Sequence, residues 1–362
     1  MASEVQIDVG GVPIGGSAPV AVQSMTLKKT HDVQATTAQI AALASAGCEL
    51  VRVAVPKTED AEALPLIVRL SPIPVIADIH FNASLALKAI DAGVAAVRIN
   101  PGNIGGPEKV EQVVRAAKRA GIPMRIGANS GSLPKHLLDL AQKDQADALV
   151  AAALEEVELL EKLGYRTFKI SVKATHVPTM IRAYRMLSEK VPYPLHLGVT
   201  EAGTEFAGGI KSAVGIGSLL ADGIGDTLRV SLTADPVKEV EVAWEILKAL
   251  GLRERGPVMI ACPSCGRDNV GVETLARVVE ERLLTYPQAF EVAVMGCAVN
   301  GPGEAGDADF GIAGGSSDIL VDELFREIDA WLDAGMKRPK RLKMGKPAAL
   351  AMAEASLIPL GD

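Results

Sequence analysis

Short apolar runs alternate with longer helical segments along the chain from Val20 to about Gly251. The short runs are rich in β-branched residues, which is typical of buried strands, and the segments between them are rich in alanine and leucine. The predicted strands are Ala21–Met25, Leu50–Val55, Val75–Ile79, Ala96–Ile99, Pro123–Ile126, Thr167–Val172, Pro194–Val199 and Thr227–Leu232. The helices predicted between them include Thr37–Ala46, Ala83–Ala92, Val110–Ala120, Leu149–Leu163, Val177–Ser188, Lys211–Ala221 and Val237–Leu250. This alternation predicts an α/β fold, the (β/α)8 TIM barrel.

An open, doubly wound sheet is the alternative arrangement of the same elements. Against it, the first strand lacks the GxGxxG turn with which such folds bind nucleotides, and the lone Gly215-Ile216-Gly217 lies inside a predicted helix. Ahead of the barrel, Val5–Pro19 predicts a small hairpin whose turn is Gly10-Gly11.

The pattern changes after residue 250, where Gly251–Pro257 is polar and rich in turn-forming residues. The predicted domains are therefore a barrel with its hairpin over residues 1–250, a linker over 251–257 and a small α+β domain over 258–362. The elements predicted in the second domain are strand Val258–Ala261, helix Val270–Leu284, strands Phe290–Met295 and Asp309–Ala313, and helix Ile319–Ala334. The tail after Met336 is basic and then alanine-rich, which is compatible with a disordered end or a terminal helix.

Composition narrows the class of protein. Hydrophobic residues make up 48% of the 362 residues and aromatic residues only 3%, so the core is built from small aliphatic side chains. The net charge of −7 argues against a nucleic-acid partner. The first residues lack the layout of a signal peptide, and no apolar run approaches the ~20 residues of a membrane span. Four cysteines in a long acidic chain predict a reducing, cytoplasmic setting with thiols kept for a metal.

Three of the four cysteines lie in the second domain, and each group follows a predicted strand. Cys262 and Cys265 form a CxxC turn, which brings two thiolates to one side, and Cys297 lies in a glycine-rich loop. A zinc site would want a fourth cysteine or a histidine, yet no histidine follows residue 196. An iron–sulfur cluster also takes four ligands as a rule, and Glu304 is the nearest candidate. The pattern favours a cluster with one labile oxygen ligand, with a structural zinc site as the alternative.

Five predicted strands each carry a cation near the carboxyl end. These cations are Arg52, Arg98, Arg125, Lys173 and Arg229. Arginine and lysine are almost never buried without a partner, and a guanidinium fork matches phosphate oxygens two at a time. Five cations converging on one rim therefore predict a site for a polyanion. The alternative is internal pairing of these cations with the carboxylates of Asp78, Glu201 and Asp226.

Other polar residues end the same strands, at the rim where barrels carry out chemistry. Asp78 and Glu201 are candidate acid–base groups, although either could be a structural carboxylate. His80 and His196 are equally compatible with a core role, and Cys48 is predicted to be a small buried residue. The remaining polar residues at this rim are Asn100, Asn103, Asn129 and Ser231.

Long ordered motifs from about Val5 to Gly314 resemble the 4-hydroxy-3-methylbut-2-enyl diphosphate synthase family, iron–sulfur enzymes of the non-mevalonate isoprenoid pathway. The motifs are Gln23-Ser24-Met25-Thr26, Val75-Ile76-Ala77-Asp78-Ile79-His80-Phe81, Arg98-Ile99-Asn100-Pro101-Gly102-Asn103-Ile104-Gly105, Arg125-Ile126-Gly127-Ala128-Asn129, Thr200-Glu201-Ala202-Gly203, Gly225-Asp226-Thr227-Leu228-Arg229-Val230-Ser231 and Asn300-Gly301-Pro302-Gly303-Glu304. No third domain is inserted between the two predicted domains, so the chain resembles the two-domain bacterial form.

The resemblance implies a barrel plus a cluster domain and the reductive dehydration and ring opening of 2-C-methyl-D-erythritol 2,4-cyclodiphosphate. It implies a [4Fe–4S] cluster on Cys262, Cys265, Cys297 and Glu304. It carries substrate diphosphate contacts onto Arg98, Arg125, Asn129 and Lys173, and also onto Ser231 and Arg52. It makes Glu201 the proton donor and Asn300 the loop residue near the substrate.

The resemblance also implies partners. A cluster needs an electron donor, so a flavodoxin or a ferredoxin is expected, and the family arrangement is a head-to-tail homodimer in which the cluster of one subunit caps the barrel of the other. Two alternatives remain at this point. One is a zinc-stabilised barrel that binds a phosphorylated ligand without redox chemistry, and the other is a pterin-type transferase barrel that needs no cluster.

Overall fold

The computed structural model describes residues 3–101, 104–268, 271–297, 308–313 and 318–336. The chain divides after Arg253 into two compact units. The finer assignment of residues 251–257 as a linker stays a prediction, and the tail after Met336 lies outside the described residues. No helix in the described ranges is both long and apolar enough to cross a bilayer.

The first unit opens with the predicted hairpin. Strands β1 (Gln6–Val9) and β2 (Val12–Gly15) pair antiparallel around Gly10 and Gly11, both of which have the positive φ that glycine adopts without strain. Ile7, Val9 and Ile14 are buried in one cluster with barrel residues, which are Ala21, Leu50, Ile76 and Ala96. Each of these barrel residues lies at or near the start of its strand, so the hairpin closes the amino-terminal end of the barrel.

Eight parallel strands follow the hairpin. They are β3 (Ala21–Met25), β4 (Leu50–Ala54), β5 (Val75–Asp78), β6 (Ala96–Arg98), β7 (Met124–Asn129), β8 (Phe168–Lys173), β9 (His196–Leu197) and β10 (Thr227–Leu228). Their order is β8-β7-β6-β5-β4-β3-β10-β9, and a parallel bridge from Ile170 to Leu195 joins the two outer strands. The sheet therefore closes on itself, which confirms the predicted barrel.

Helices separate the strands and cover the barrel. They are α1 (Val33–Ser45), α2 (Thr58–Leu70), α3 (Ala83–Asp91), α4 (Pro107–Ala120), α5 (Leu138–Lys143), α6 (Gln145–Lys162), α7 (Val177–Ser188), α8 (Glu205–Ala221) and α9 (Pro236–Ala249). Several begin earlier than the apolar pattern predicts. Asp32 and Asp144 explain two cases, because each accepts backbone N–H groups of the first helical turn and so fixes the start of α1 or α6.

The second unit contains three strands and two helices among its described residues. Strands β11 (Val258–Ala261), β12 (Glu291–Met295) and β13 (Phe310–Ala313) run parallel in that order, with α10 (Val272–Leu283) between the first two and α11 (Asp318–Asp333) after the third. The rings of Phe290, Phe310 and Trp331 meet edge to face in or against its core, and the buried ring of Phe325 stacks on Tyr286. This unit thus has its own hydrophobic core.

Replacing Ile14 by alanine tests the closure of the barrel by the hairpin. Ile14 is completely buried, so we expect the free energy of unfolding to fall by about 2–5 kcal/mol. Leu70→Ala is the control, because that side chain is 55% exposed. Urea denaturation followed by circular dichroism measures both. Equal midpoints for the two variants would contradict a packed role for the hairpin.

Candidate active site

The five cations that the sequence places near the carboxyl ends of strands lie inside the barrel. For Arg125 the predicted position is wrong, because β7 continues to Asn129 and Arg125 is its second residue. Arg52, Arg98, Arg125 and Lys173 are buried, with residue exposures of 7%, 5%, 3% and 6%, and Arg229 is nearly so. Successive side chains of a strand point to opposite faces, and Val51 and Val53 pack outside the barrel in the hydrophobic core with the helices. Arg52 between them therefore points into the barrel. We call these five side chains the cation cluster.

Asp78 is the carboxylate that organises one side of the cation cluster. It pairs with Arg52 at 3.3 Å and with Arg98 at 3.1 Å, and His80 lies 3.4 Å from it. Burial alone would raise the pKa of Asp78, but Arg52, the His80 hydrogen bond and Arg98 outweigh burial and hold that pKa well below its usual range. Asp78 is therefore a carboxylate at neutral pH.

Arg229 has a partner that the sequence analysis missed. Glu239, buried on α9, lies 3.3 Å from the Arg229 guanidinium and also accepts hydrogen bonds from Ser24 Oγ and from the backbone N–H of Leu232. A carboxylate on an amphipathic helix resembles a surface residue in sequence, so no pattern marked it.

Burial lowers the pKa of Arg52 to about 10 despite Asp78, and the Arg52 guanidinium also donates hydrogen bonds to the sulfur of Met25.

Arg125 and Lys173 have no carboxylate partner among the described residues. Arg125 donates two hydrogen bonds to Ser171 Oγ, at 3.2 and 2.7 Å, while its Nη1 is buried without a partner. Lys173 lies beside Gly198, where an added Cβ would approach its Nζ to 2.7 Å, so the glycine leaves room for the ammonium. Burial, and then the neighbouring arginines, hold the pKa values of Arg125 and Lys173 well below their usual ranges.

The predicted internal pairing thus holds for Asp78 and fails for the other two carboxylates. Glu201 is exposed, has the unusual φ of 54° and accepts a hydrogen bond from Thr175 Oγ1 at 3.3 Å. Asp226 accepts from the backbone N–H of Leu195 and from Ser3 Oγ, both at 2.7 Å. The five cations therefore form ion pairs with two buried carboxylates, Asp78 and Glu239. Burial raises the pKa of a third carboxyl group near Arg98 and Arg125, that of Glu156, to about 8, so it is mostly neutral at pH 7 and the cluster carries excess positive charge.

The other predicted barrel residues lie around the same mouth. Asn129 ends β7 opposite Lys173 of β8, and Ser231 follows β10 two residues after Arg229; both side chains are half-buried. Asn300 and Glu304 lie outside the described residues. Sequence reasoning missed Ser171 and Lys169, although their alternation with Phe168 and Ile170 marks them as facing the barrel interior.

The cysteines of the second unit lie where two parallel strands end. Cys262 follows β11 and Cys297 lies two residues after β12, and the register pairs Ala261 with Val294. All three thiols are free, and Cys262 Sγ accepts the backbone N–H of Gly296 at 3.1 Å. Hydrogen bonds from the backbone and side chain of Arg267 lower the pKa of the exposed Cys265. Among the described residues, these sulfurs do not belong to any group of three or more ligand atoms that all lie within 4.8 Å of one another.

Comparison with known families gives matches over both units. The family model for the GcpE TIM-barrel domain matches residues 4–244, and that for the GcpE protein C-terminal domain matches residues 258–330. The chain is 57% identical to the 4-hydroxy-3-methylbut-2-en-1-yl diphosphate synthase (flavodoxin) of Geobacter sulfurreducens, over 87% of this chain and 90% of that one. It is 54% identical to the synthase of the same name from Clostridium perfringens, with the same coverage of both chains.

Among solved structures, the Yersinia pestis dihydropteroate synthase in complex with a sulfonamide drug is similar to 69% of this chain, and the whole of that chain is covered. The TM-score is 0.50 and the sequence identity 13%. A likeness at this identity shows the barrel fold alone, so it gives no support to a transferase activity.

Asp78→Asn tests the view that the carboxylate compensates buried arginines. Removing one partner of a buried ion pair leaves uncompensated charge, so we expect the free energy of unfolding to fall by about 3–5 kcal/mol. Glu111→Gln breaks the exposed pair with Arg115 and is the control, which we expect to change stability very little. Chemical denaturation at neutral pH gives both values. An Asp78 variant as stable as the control would contradict the pairing.

Proposed function

This chain belongs to the GcpE family, and we propose that it forms 4-hydroxy-3-methylbut-2-enyl diphosphate by reductive dehydration and ring opening of 2-C-methyl-D-erythritol 2,4-cyclodiphosphate. It is an oxidoreductase of isoprenoid biosynthesis, and the resemblance found in its motifs is confirmed by the family matches over both units. The single structural observation that supports this substrate is the cation cluster, because a diphosphate supplies the negative charge that those buried cations lack.

Within the cation cluster, we assign the diphosphate contacts to the side chains without carboxylate partners first. Arg125 has an unpartnered Nη1, and Lys173 is buried beside Gly198, so both have donors for phosphate oxygens. Arg52, Arg98 and Arg229 are held in place by Asp78 and Glu239 and add positive charge around the same oxygens. Asn129 and Ser231 are neutral donors at the mouth. Such a fixed array stabilises charge that develops as the ring opens.

The acid–base roles divide between two carboxylates. Asp78 has a lowered pKa and two guanidinium partners, so it orients Arg52 and Arg98 and is a poor proton donor. Glu201 is exposed in the loop after β9, where solvent can supply it with protons, and we assign the donor role to it. Its hydrogen bond with Thr175 holds the carboxylate beside the loop that follows β8.

The second unit is proposed to hold a [4Fe–4S] cluster on Cys262, Cys265 and Cys297, with Glu304 as the fourth ligand and Asn300 beside the substrate. The donor set fits this group, since all three thiols are free and Cys262 already accepts an N–H hydrogen bond of the kind that stabilises thiolate. The cluster supplies single-electron transfers, and the names of the relatives support a flavodoxin as the electron donor.

The proposed function also includes a quaternary structure and a cellular compartment. The active form is a head-to-tail homodimer in which the cluster domain of one subunit serves the barrel of the other. The setting is the cytoplasm, because free thiols that serve as metal ligands need reducing conditions. The non-redox zinc reading is not favoured, because the named relatives are flavodoxin-dependent synthases.

Cys297→Ser tests the cluster. We expect anaerobically purified protein to be brown, with iron, acid-labile sulfide and broad absorbance near ~400 nm, and the variant to lose most of this absorbance and its activity. Cys48→Ser is the matched control, because Cys48 is buried in the barrel unit, away from the other three thiols in sequence. Its thiol donates a hydrogen bond to the Leu50 carbonyl, and burial raises its pKa to about 12. Stoichiometric zinc without iron would overturn the redox assignment.

Arg125→Gln tests the diphosphate contact. Loss of one charge-assisted hydrogen bond costs about 1.5–3 kcal/mol, so the KM for the cyclic diphosphate should rise about 10- to 100-fold. Arg115→Gln, which changes an exposed arginine, should leave KM unchanged. Steady-state kinetics with a chemical reductant measures both. An unchanged KM in Arg125→Gln would remove this residue from the binding site.

A further inference from the structure

One buried cation, Lys169, is not used by the function proposed above. It shares the interior face of β8 with Ser171 and Lys173 and lies about 13 Å along the strand from Lys173. The residue is 1% exposed, so its amine lies in a layer of the barrel beneath the mouth. This layer also contains Gln23, His196 and Thr227, all buried.

The number of hydrogen-bond acceptors around Lys169 indicates which protonation state of its amine the site favours. Its Nζ has two acceptors, Gln23 Oε1 at 3.4 Å and Thr227 Oγ1 at 3.5 Å, and both are neutral. Within the described part of the chain, no carboxylate oxygen lies within 4.0 Å of Lys169 Nζ, which is the distance limit for an ion pair. A neutral amine has two N–H donors and an ammonium has three. The geometry therefore satisfies the neutral amine and leaves the third donor of an ammonium without an acceptor.

The charged surroundings act in the same direction. The titratable and charged groups around Lys169 are Arg52 on β4, Arg125 on β7, Lys173 on its own strand, His196 on β9 and Asp226 before β10. Burial, then Arg125 and Arg52, lower the pKa of Lys169 to about 7, and Asp226 opposes them weakly. Gln23 Nε2 is also buried without a partner, so this layer contains an unsatisfied N–H donor in addition to those of Lys169.

We propose that Lys169 is a positioning residue that takes up a proton from solvent when a polyanion binds the cation cluster, so that the barrel adjusts its positive charge to its ligand. The inference rests on the anion-binding part of the proposed function. At about 10 Å and an effective dielectric constant near 20, each negative charge strengthens proton binding by an amine about tenfold. The ammonium formed in this way attracts the ligand from below, without touching it.

The sign of the pH dependence follows from linkage. Above about pH 7 the free protein has lost the Lys169 proton and the anion complex regains it, so binding consumes a proton. Anion affinity should therefore fall with rising pH, with a contribution from Lys169 of up to about tenfold per pH unit. The cation cluster is the same in wild type and in a Lys169 variant, so the contribution of Lys169 is the difference in proton uptake between the two proteins.

The test is isothermal titration with inorganic sulfate, whose charge is constant between about pH 6 and 9, in two buffers of different ionisation enthalpy. At about pH 8 we expect wild type to take up close to one more proton per sulfate than Lys169→Met does. Lys162→Met, an exposed lysine that pairs with Glu158, is the control and should match wild type.

Gln23→Glu keeps the proposal testable even if Lys169→Met does not fold. A carboxylate at position 23 pairs with Lys169 and keeps it charged without ligand, so proton uptake should drop as it does in Lys169→Met. Equal proton uptake by wild type and Gln23→Glu would overturn the role of Lys169 alone. Absence of sulfate binding to wild type would instead overturn the anion site on which the proposed function also depends.

Discussion

The rest of this structure depends on one constraint, which is that the barrel interior buries more positive than negative charge. Arg52, Arg98, Arg125, Lys173 and Arg229 point into a barrel whose walls exclude water, with Asp78 and Glu239 as their carboxylate partners. Desolvation of a cation costs several kcal/mol even after relaxation, and an unpaired one is not stable by itself. The barrel must therefore supply this free energy through packing elsewhere, and a bound polyanion returns part of it.

The packing that supports the cation cluster lies at the opposite end and outside the strands. Hairpin residues Ile7, Val9 and Ile14 cover an apolar layer at the base of the barrel, and the outward faces of the strands pack against the helices. The interior thus changes from apolar at the base to polar and charged above it, where Lys169 contacts Gln23 and Thr227 and is paired in register with Arg125. Lys173 ends its strand at the carboxyl end, which is the end that barrels use for chemistry.

Sequence alone predicted all eight barrel strands, the hairpin and five interior cations, because β-branched runs and charged residues within them are strong local signals. Residues whose role depends on distant neighbours were not found. Glu239 is on a helix and acts through Arg229 on a strand, and α5 lies in a polar loop without helical periodicity. Lys169 could have been found, since it alternates with Ser171 and Lys173 along β8. The roles of Glu201, Asn300 and Glu304 came from motifs, and they remain proposals.

The proposed function depends above all on the cation cluster being a diphosphate site. Thermal unfolding of the whole protein in rising concentrations of inorganic pyrophosphate, against sodium chloride at matched ionic strength, tests it most directly. A ligand that binds the native state raises Tm as the logarithm of its concentration above Kd, so pyrophosphate should raise Tm progressively and chloride should not. If pyrophosphate and chloride gave the same curve, the buried cations would have to be explained without a polyanionic ligand.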